Sequence, residues 1–143
     1  QAFLQEMFRI APVIPFGFHQ ALEDTIFRGY TIEKGTYVLE NFYGVHMDPK
    51  LWENPEEFKP ERFLSPGGEF IKSDQLFLFG SGKRSCVGEI TARDQLFFYV
   101  TRIVQTYNIT AEKTMESFDG NMALGYHAPE FKAKFTRRTE ITC

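Results

Sequence analysis

A glycine-rich bend at residues 80–88 leads directly into the longest periodic segment of the chain, residues 87–106. The apolar residues of that segment recur at helical spacing but cover most of its girth: Val87, Ile90, Leu96, Phe97, Val100, Ile103 and Val104. A helix that is apolar on most sides is expected to be buried on more than one side. The sequence therefore predicts a long buried helix with Cys86 at its start.

Two elements are predicted in the first third of the chain. The i, i+4 apolar spacing of residues 1–11, stopped by Pro12, predicts a helix. Alternating residues on both sides of a lysine–glycine pair predict a hairpin between residues 31–32 and 36–41.

Prolines and glycines interrupt residues 46–70 and allow only short helical turns there, such as one over residues 55–58. Near the carboxyl end, apolar alternation predicts a second hairpin between residues 122–124 and 131–135. Together these segments predict a mainly α fold with small β-sheets, of the α+β class.

Composition excludes several classes of protein. With 143 residues, 43% of them hydrophobic, and a net charge of −3, the chain predicts a globular domain and no nucleic-acid partner. It contains no apolar run of about 18 residues, as a membrane helix would need. Its only cysteines, Cys86 and Cys143, are too few for a disulfide scaffold. The first residue is Gln1 rather than Met, and we expect the chain to be cut from a longer one.

The segment around Cys86 does not match other glycine-rich motifs. A phosphate-binding P-loop would need glycine in place of Phe77 and serine or threonine in place of Arg84. A dinucleotide fingerprint starting at Gly80 would need glycine or alanine in place of Ser85. The histidines are scattered singly, which disfavours zinc.

The sequence of this segment predicts a cysteine thiolate next to a surface without side chains. Unpaired backbone N–H groups and the helix dipole favour an ionised Cys86. The guanidinium of Arg84 suits a carboxylate, while Gly82 and Gly88 remove side chains where a planar ligand would approach the backbone. Haem satisfies these features, because its iron takes the sulfur and its propionates take the arginine.

The residues from Phe79 to Gly88 match F-x-x-G-x-R-x-C-x-G, and Glu89, Ala92 and Arg93 extend the match to C-x-G-E-x-x-A-R. The chain here resembles the cytochrome P450 family, in particular animal microsomal members. The E-x-x-R of Glu6 to Arg9 and the P-E-R-F of Pro60–Phe63 agree in order and spacing. The resemblance implies that residues 1–143 are a partial haem domain without its amino-terminal part. The fragment would run from the K helix through the cysteine loop and L helix to the last β hairpin.

The resemblance also implies roles for single residues. Cys86 would be the thiolate ligand of the haem iron, Phe79 would pack beside its sulfur, and Arg84 would bind a propionate. Gly82 and Gly88 would lie against the cofactor, and His19 occupies the place of a histidine that contacts a propionate in many members. No catalytic residue beyond the haem ligand is expected in this part of the chain.

The family further implies a buried ion triad of Glu6, Arg9 and Arg62 that holds the K helix against the cysteine loop. Taken alone, Glu6 and Arg9 would instead be read as an exposed i, i+3 pair. The resemblance places residues 13–18 and 122–126 in the wall of the substrate cavity.

Three other residues have no implied role in binding the cofactor. His46 and His127 are expected to be surface or loop residues. Lys83 has two interpretations, either a docking site for an acidic electron donor or a solvated lysine.

The function implied is that of a haem b monooxygenase that inserts one oxygen atom of dioxygen into a lipophilic substrate. Its electrons would come from NADPH through a partner reductase. The expected location is the cytosolic face of the endoplasmic reticulum membrane, in preference to the mitochondrion, with membrane attachment only through the missing amino-terminal part. The alternatives are a peroxide-rearranging enzyme of the same fold and a non-functional truncated product. The isolated fragment is expected to be poorly folded and inactive.

Overall fold

The computed structural model describes residues 1–111, 121–122 and 125–139. Over these ranges it contains three α-helices: α1 (Ala2–Ile10), α2 (Phe42–His46) and α3 (Glu89–Thr106). Two short 3₁₀ helices lie between α2 and α3, at Pro60–Phe63 and Gly82–Arg84. The strands are β1 (Phe16–Gln20), β2 (Thr25–Phe27), β3 (Tyr30–Ile32), β4 (Tyr37–Asn41), β5 (Tyr107–Ala111), β6 (Asn121–Met122), β7 (Tyr126–His127) and β8 (Ala133–Arg137). This confirms the predicted class of helices with small sheets.

The strands of the first half form two antiparallel pairs, and neither is the predicted hairpin. Strand β3 pairs with β2 across Arg28 and Gly29, whose φ angles are both positive, at 49° and 84°. Positive φ at both central residues of a two-residue loop matches the twist of the flanking strands. Strand β4 pairs instead with β1, from Phe16 opposite Asn41 to Gln20 opposite Tyr37. The hairpin predicted between residues 31–32 and 36–41 is therefore wrong.

The second predicted hairpin is also wrong in its pairing. Strand β8 pairs with β5, which follows α3 directly, in a register that places Ile109 opposite Phe135. Strand β6 pairs with β7, joining Met122 to Tyr126. Of the predicted strand at residues 122–124, the last two residues lie outside the described ranges.

The segment after α2 contains only short turns, as its prolines predict. The predicted helical turn at residues 55–58 is a single turn in which the Glu57 amide donates to the Asn54 carbonyl at 3.0 Å. The 3₁₀ helix instead begins at Pro60, whose fixed φ and missing N–H suit a first helical position.

The buried core is small and lies where α1, α2 and the Pro60–Phe63 helix meet. Phe63 and Trp52 pack with ring centroids 5.8 Å apart, and the Trp52 indole N–H donates to the Val45 carbonyl at 3.0 Å. Glu6 and Arg9 are fully buried beside these rings. The core is thus built around charged side chains of α1.

Helix α3 confirms the predicted helix but not its predicted burial. In the described part of the chain, none of its residues is buried. Ile90 is 75% exposed, Phe97 51% and Phe98 61%. The apolar side chains are present as the sequence requires, but the described elements do not form a layer over them. In the same ranges, no helix has both the length and the apolar character needed to cross a membrane.

Candidate functional site

The loop between Phe79 and Cys86 is closed by its own backbone. The Cys86 amide donates to the Phe79 carbonyl at 2.7 Å, and the Ser85 amide donates to the Gly82 carbonyl at 3.2 Å. Gly80 and Gly82 have φ of 68° and 66°, a conformation in which side chains are unfavourable. The glycines of the motif therefore allow the bend that presents Cys86.

The sulfur of Cys86 is free and exposed. Cys86 lies two residues before Gly88, which is the N-cap of α3. A Cβ atom on Gly88 would lie 3.8 Å from Cys86 Sγ, whereas a Cβ on Gly82 would meet no atom within 4 Å. The loop thus presents an unhindered thiol next to the amino end of the longest helix.

Phe79 belongs to an aromatic cluster that joins α1, the loop and α3. Its ring packs edge-to-face on Phe8, with centroids 5.7 Å apart and planes at 76°. The Arg93 guanidinium carbon lies 4.9 Å from the Phe79 centroid and 5.3 Å from the Phe8 centroid. Glu89 accepts a hydrogen bond from Arg93 Nε at 2.9 Å. Arg93 thus contacts Phe79, the residue at which the cysteine loop begins.

The other predicted cofactor residues lie at the surface. Arg84 and Lys83 belong to the exposed Gly82–Arg84 helix, and neither side chain has a hydrogen bond or ion pair with the described residues. His19 lies on β1, where its Nε2 is 3.3 Å from Glu40 Oε2 on β4. Within the described ranges, no contact joins His19 to the cysteine loop.

The predicted ion triad is present and buried. Glu6 accepts two hydrogen bonds from Arg9, from Nε at 2.8 Å and from Nη2 at 2.9 Å. Arg62 Nε donates to Glu6 Oε1 at 3.1 Å, and the Lys59 amide donates to the same oxygen at 2.9 Å. The alternative of an exposed i, i+3 pair is wrong, because both side chains are fully buried.

The triad also fixes the backbone of the segments that follow α2. Arg9 Nη1 donates to the His46 carbonyl at 2.8 Å, and Arg62 Nη1 donates to the Glu53 carbonyl at 3.0 Å. Burial raises the pKa of Glu6, but the hydrogen bonds from Arg9 and Lys59 and the charges of Arg9 and Arg62 outweigh it, so the net pKa is lowered. The Glu6 carboxylate is therefore ionised and holds α1 to the chain before the cysteine loop.

His46 is not the surface or loop residue that the sequence suggests. It ends α2 and is fully buried, and neither ring nitrogen has a hydrogen-bond partner among the described residues. Burial and the Arg9 charge lower its pKa to about 4. The Phe77 backbone opposes this shift, but its contact does not satisfy hydrogen-bond geometry. The residues that bury His46 lie far from it along the chain, so no local pattern in the sequence predicts its burial.

The structure also brings together two segments that the resemblance assigns to the substrate wall. A Cβ on Gly125 would lie 2.9 Å from the Val13 carbonyl oxygen, so the two backbones are in close contact. Val13, Ile14 and Phe18 are exposed. The apolar side chains of residues 13–18 are thus available to line a surface shared with the β6–β7 hairpin.

The arrangement at Cys86 fits a metal carried by a planar cofactor better than a metal held by protein alone. The described residues contain no group of three or more histidine, cysteine or acidic side chains that could hold an ion. The free thiol of Cys86 could bind a metal, and the Arg84 guanidinium, which has no partner among the described residues, could bind an anion. The surface at Gly82 is open to a ligand. The donor set therefore fits haem, which brings the remaining iron ligands itself.

Comparison with known proteins agrees with this fit. Residues 1–135 match the sequence profile of a family described as Cytochrome P450. The chain is 42% identical over 108 residues to human "Cytochrome P450 2U1", covering 75% of this chain and 20% of that protein. It is 39% identical over 143 residues to the sheep protein "Steroid 17-alpha-hydroxylase/17,20 lyase", covering 96% of this chain and 28% of that protein.

A crustacean relative gives a similar result. The match to "Cytochrome P450 2L1" of Panulirus argus is 40% identical over 114 residues and covers 79% of this chain and 23% of that protein. The chain thus spans between 20% and 28% of the length of these relatives.

Proposed function

The chain belongs to the cytochrome P450 family, and we propose that residues 1–143 form the carboxyl-terminal part of a haem-thiolate monooxygenase. The observation that carries this proposal is the closed loop that presents the free thiol of Cys86 between Phe79 and α3. The amino-terminal remainder of the haem domain lies outside these residues in this proposal.

Haem b, when bound, supplies the activation of dioxygen: one oxygen atom enters a C–H bond of the substrate, and two electrons and two protons reduce the other to water. The sulfur of Cys86 would hold the haem iron. The exposed guanidinium of Arg84 would bind a propionate, and His19 is a second candidate for such a contact. Gly88 keeps a side chain away from the sulfur, which lies 3.8 Å from its Cβ position, and Gly82 leaves the surface of the loop open.

The buried triad serves this site indirectly. Glu6 binds Arg9 of α1 and Arg62 of the Pro60–Phe63 helix, so it fixes α1, whose Phe8 contacts Phe79 at the start of the cysteine loop. The Phe79 ring packs edge-to-face on Phe8, so the residue at the start of the loop is held against α1. The role proposed for these residues is thus to orient the ligand.

The proposed partners follow from the family. The electrons come from NADPH through a reductase, and exposed Lys83 beside the loop is a candidate contact for such a donor. The substrate is a small lipophilic molecule, in keeping with the apolar residues 13–18 and with a sheep relative whose name is that of a steroid hydroxylase. The proposed location is the cytosolic face of the endoplasmic reticulum membrane, with attachment through the amino-terminal part.

The experiment is an optical one on the full-length protein. The ferrous carbon monoxide complex should show a strongly red-shifted Soret band that is lost in Cys86→Ser. Cys143→Ser is the matched control, because it removes the other thiol of this chain and should leave the band unchanged. A histidine-type band in the wild type would refute the proposal. Turnover of a peroxide without reductase would identify the rearranging enzyme instead.

A further inference from the structure

Arg93 contacts two aromatic rings from two other parts of the fold. Its guanidinium carbon lies 4.9 Å from the centroid of Phe79, which precedes the cysteine loop, and 5.3 Å from that of Phe8, on α1. Both distances are within the range of cation–π attraction. The side chain is 30% exposed, so the guanidinium lies partly out of water.

The orientation of this guanidinium is fixed within α3. Glu89, one turn earlier, accepts from Arg93 Nε at 2.9 Å. A hydrogen bond at Nε leaves the planar face of the group free to stack on an aromatic ring. An ordinary i, i+4 ion pair on a solvated helix face would not require the two aromatic contacts.

Phe79 connects this contact to the thiol. Its carbonyl oxygen accepts the Cys86 amide at 2.7 Å, the hydrogen bond that closes the loop. A displacement of Phe79 therefore displaces the acceptor that fixes Cys86. Gly80 follows immediately with φ of 68°, and Gly82 with φ of 66° has no atom within 4 Å of its Cβ position, so side-chain packing at these glycines does not hold the loop.

We propose that Arg93 is a positioning residue for the cysteine loop: it holds the Phe79 ring against Phe8, and through the Phe79 carbonyl it fixes the place and exposure of the Cys86 sulfur. The consequence for haem ligation rests on the proposed function, but the effect on the thiol does not. The planar shape of the guanidinium is essential in this proposal, so lysine, which keeps the charge, is not an adequate replacement.

The test measures how fast iodoacetamide alkylates Cys86 in the full-length protein prepared without haem, with the modified peptide quantified by mass spectrometry. Arg93→Gln and Arg93→Lys should both be alkylated about two- to fivefold faster than the wild type, as expected when a cation–π contact is lost. Arg102→Gln is the matched control, because it removes an exposed arginine from the same helix. It should react at the wild-type rate.

A second variant guards against a general loss of folding. Glu89→Ala leaves Arg93 in place but removes the acceptor of its Nε, so it should give a smaller acceleration in the same direction. Wild-type alkylation rates in both Arg93 variants would overturn the proposal. A wild-type rate in Arg93→Lys alone would overturn it as well, since charge rather than stacking would then suffice. Iron ligation would block the sulfur, so the rates are compared in haem-free protein, and the result is separable from the carbon monoxide spectrum that decides the proposed function.

Discussion

Arg9 is a fully buried cation whose donors are almost all used within the fold. Its Nε and Nη2 bind Glu6, its Nη1 binds the His46 carbonyl, and its guanidinium lies 5.4 Å from the ring centroid of Trp52. Burying such a charge is costly unless its partners satisfy it, and removal of one partner leaves the other uncompensated. The triad therefore makes this small core sensitive to single substitutions.

Glu6→Gln should lower the free energy of unfolding by about 3 kcal/mol at pH 7, because it leaves the buried Arg9 without its counter-charge. Urea unfolding of the full-length protein measures the change. Glu61→Gln is the matched control, since Glu61 is an exposed residue of the Pro60–Phe63 helix, and it should change stability by less than about 0.5 kcal/mol. Equal effects of the two substitutions would contradict the structural role of Glu6.

His46 should make stability depend on pH between 7 and 5. Its pKa falls from the ordinary 6.5 to about 4 in the fold, so the folded protein binds fewer protons than the unfolded chain in this window. Stability is therefore highest above pH 6.5 and should fall by about 2 kcal/mol on going from pH 7 to pH 5. Arg9 is the charge that faces the ring, and Glu6 stays ionised throughout because its own pKa is lowered.

The measurement is the urea midpoint of the wild type and of His46→Gln at both pH values. The variant should show a smaller difference between the two pH values, whatever its absolute stability. The exposed His127 provides the control, and His127→Gln should keep the wild-type pH dependence. The same slope in His46→Gln as in the wild type would show that other groups cause the dependence.

The helices of this chain depend on near neighbours in the sequence, whereas the strands depend on partners far away along the chain. The spacing of residues 1–11 and 87–106 predicts α1 and α3 to within about two residues, because helix formation depends on near neighbours. Apolar alternation also predicts part of the strand segments, but it does not predict which strands pair. The turn at Arg28 shows why: it takes φ of 49° at a residue that does not favour positive φ, so its type could not be read from residue preference.

At the level of the cysteine loop, Gly82→Ala should cost about 1–2 kcal/mol of stability. No atom lies within 4 Å of the position of the new Cβ, so the cost comes from the positive φ of 66° alone. Gly67→Ala is the control, because that glycine has an ordinary φ and only Ser65 Oγ nearby, at 3.6 Å. Its effect should stay within about 0.5 kcal/mol. Thermal unfolding of both variants checks the difference, and a neutral Gly82→Ala would refute the strain argument.

At the scale of the whole molecule, the chain exposes apolar surface that globular domains ordinarily bury. In the described ranges, α3 leaves Ile90, Phe97 and Phe98 more than half exposed, and β2 and β3 do the same with Ile26, Phe27 and Tyr30. Where such exposed apolar side chains adjoin, they mark an interface or a site of aggregation. The buried core around the triad is correspondingly small.

The isolated 143-residue polypeptide should therefore fold poorly, bind haem weakly and lack monooxygenase activity. Circular dichroism on heating should show a broad, non-cooperative change, because too little apolar surface is buried to offset the loss of chain entropy. The full-length protein is the control and should melt cooperatively. A cooperative transition of the fragment together with stoichiometric haem uptake would contradict this expectation.

The sequence by itself determined where the two longer helices run and which glycines bend the chain before Cys86. Its resemblance to the family implied that Glu6, Arg9 and Arg62 belong together. These depend on spacing within one element or on motifs long enough to be specific. Only the tertiary structure decided which strands pair, that His46 is buried without partners, and that Arg93 stacks on Phe79 and Phe8. Those outcomes depend on which side chains meet across the fold, and contacts between residues far apart along the chain leave no periodic signal in it.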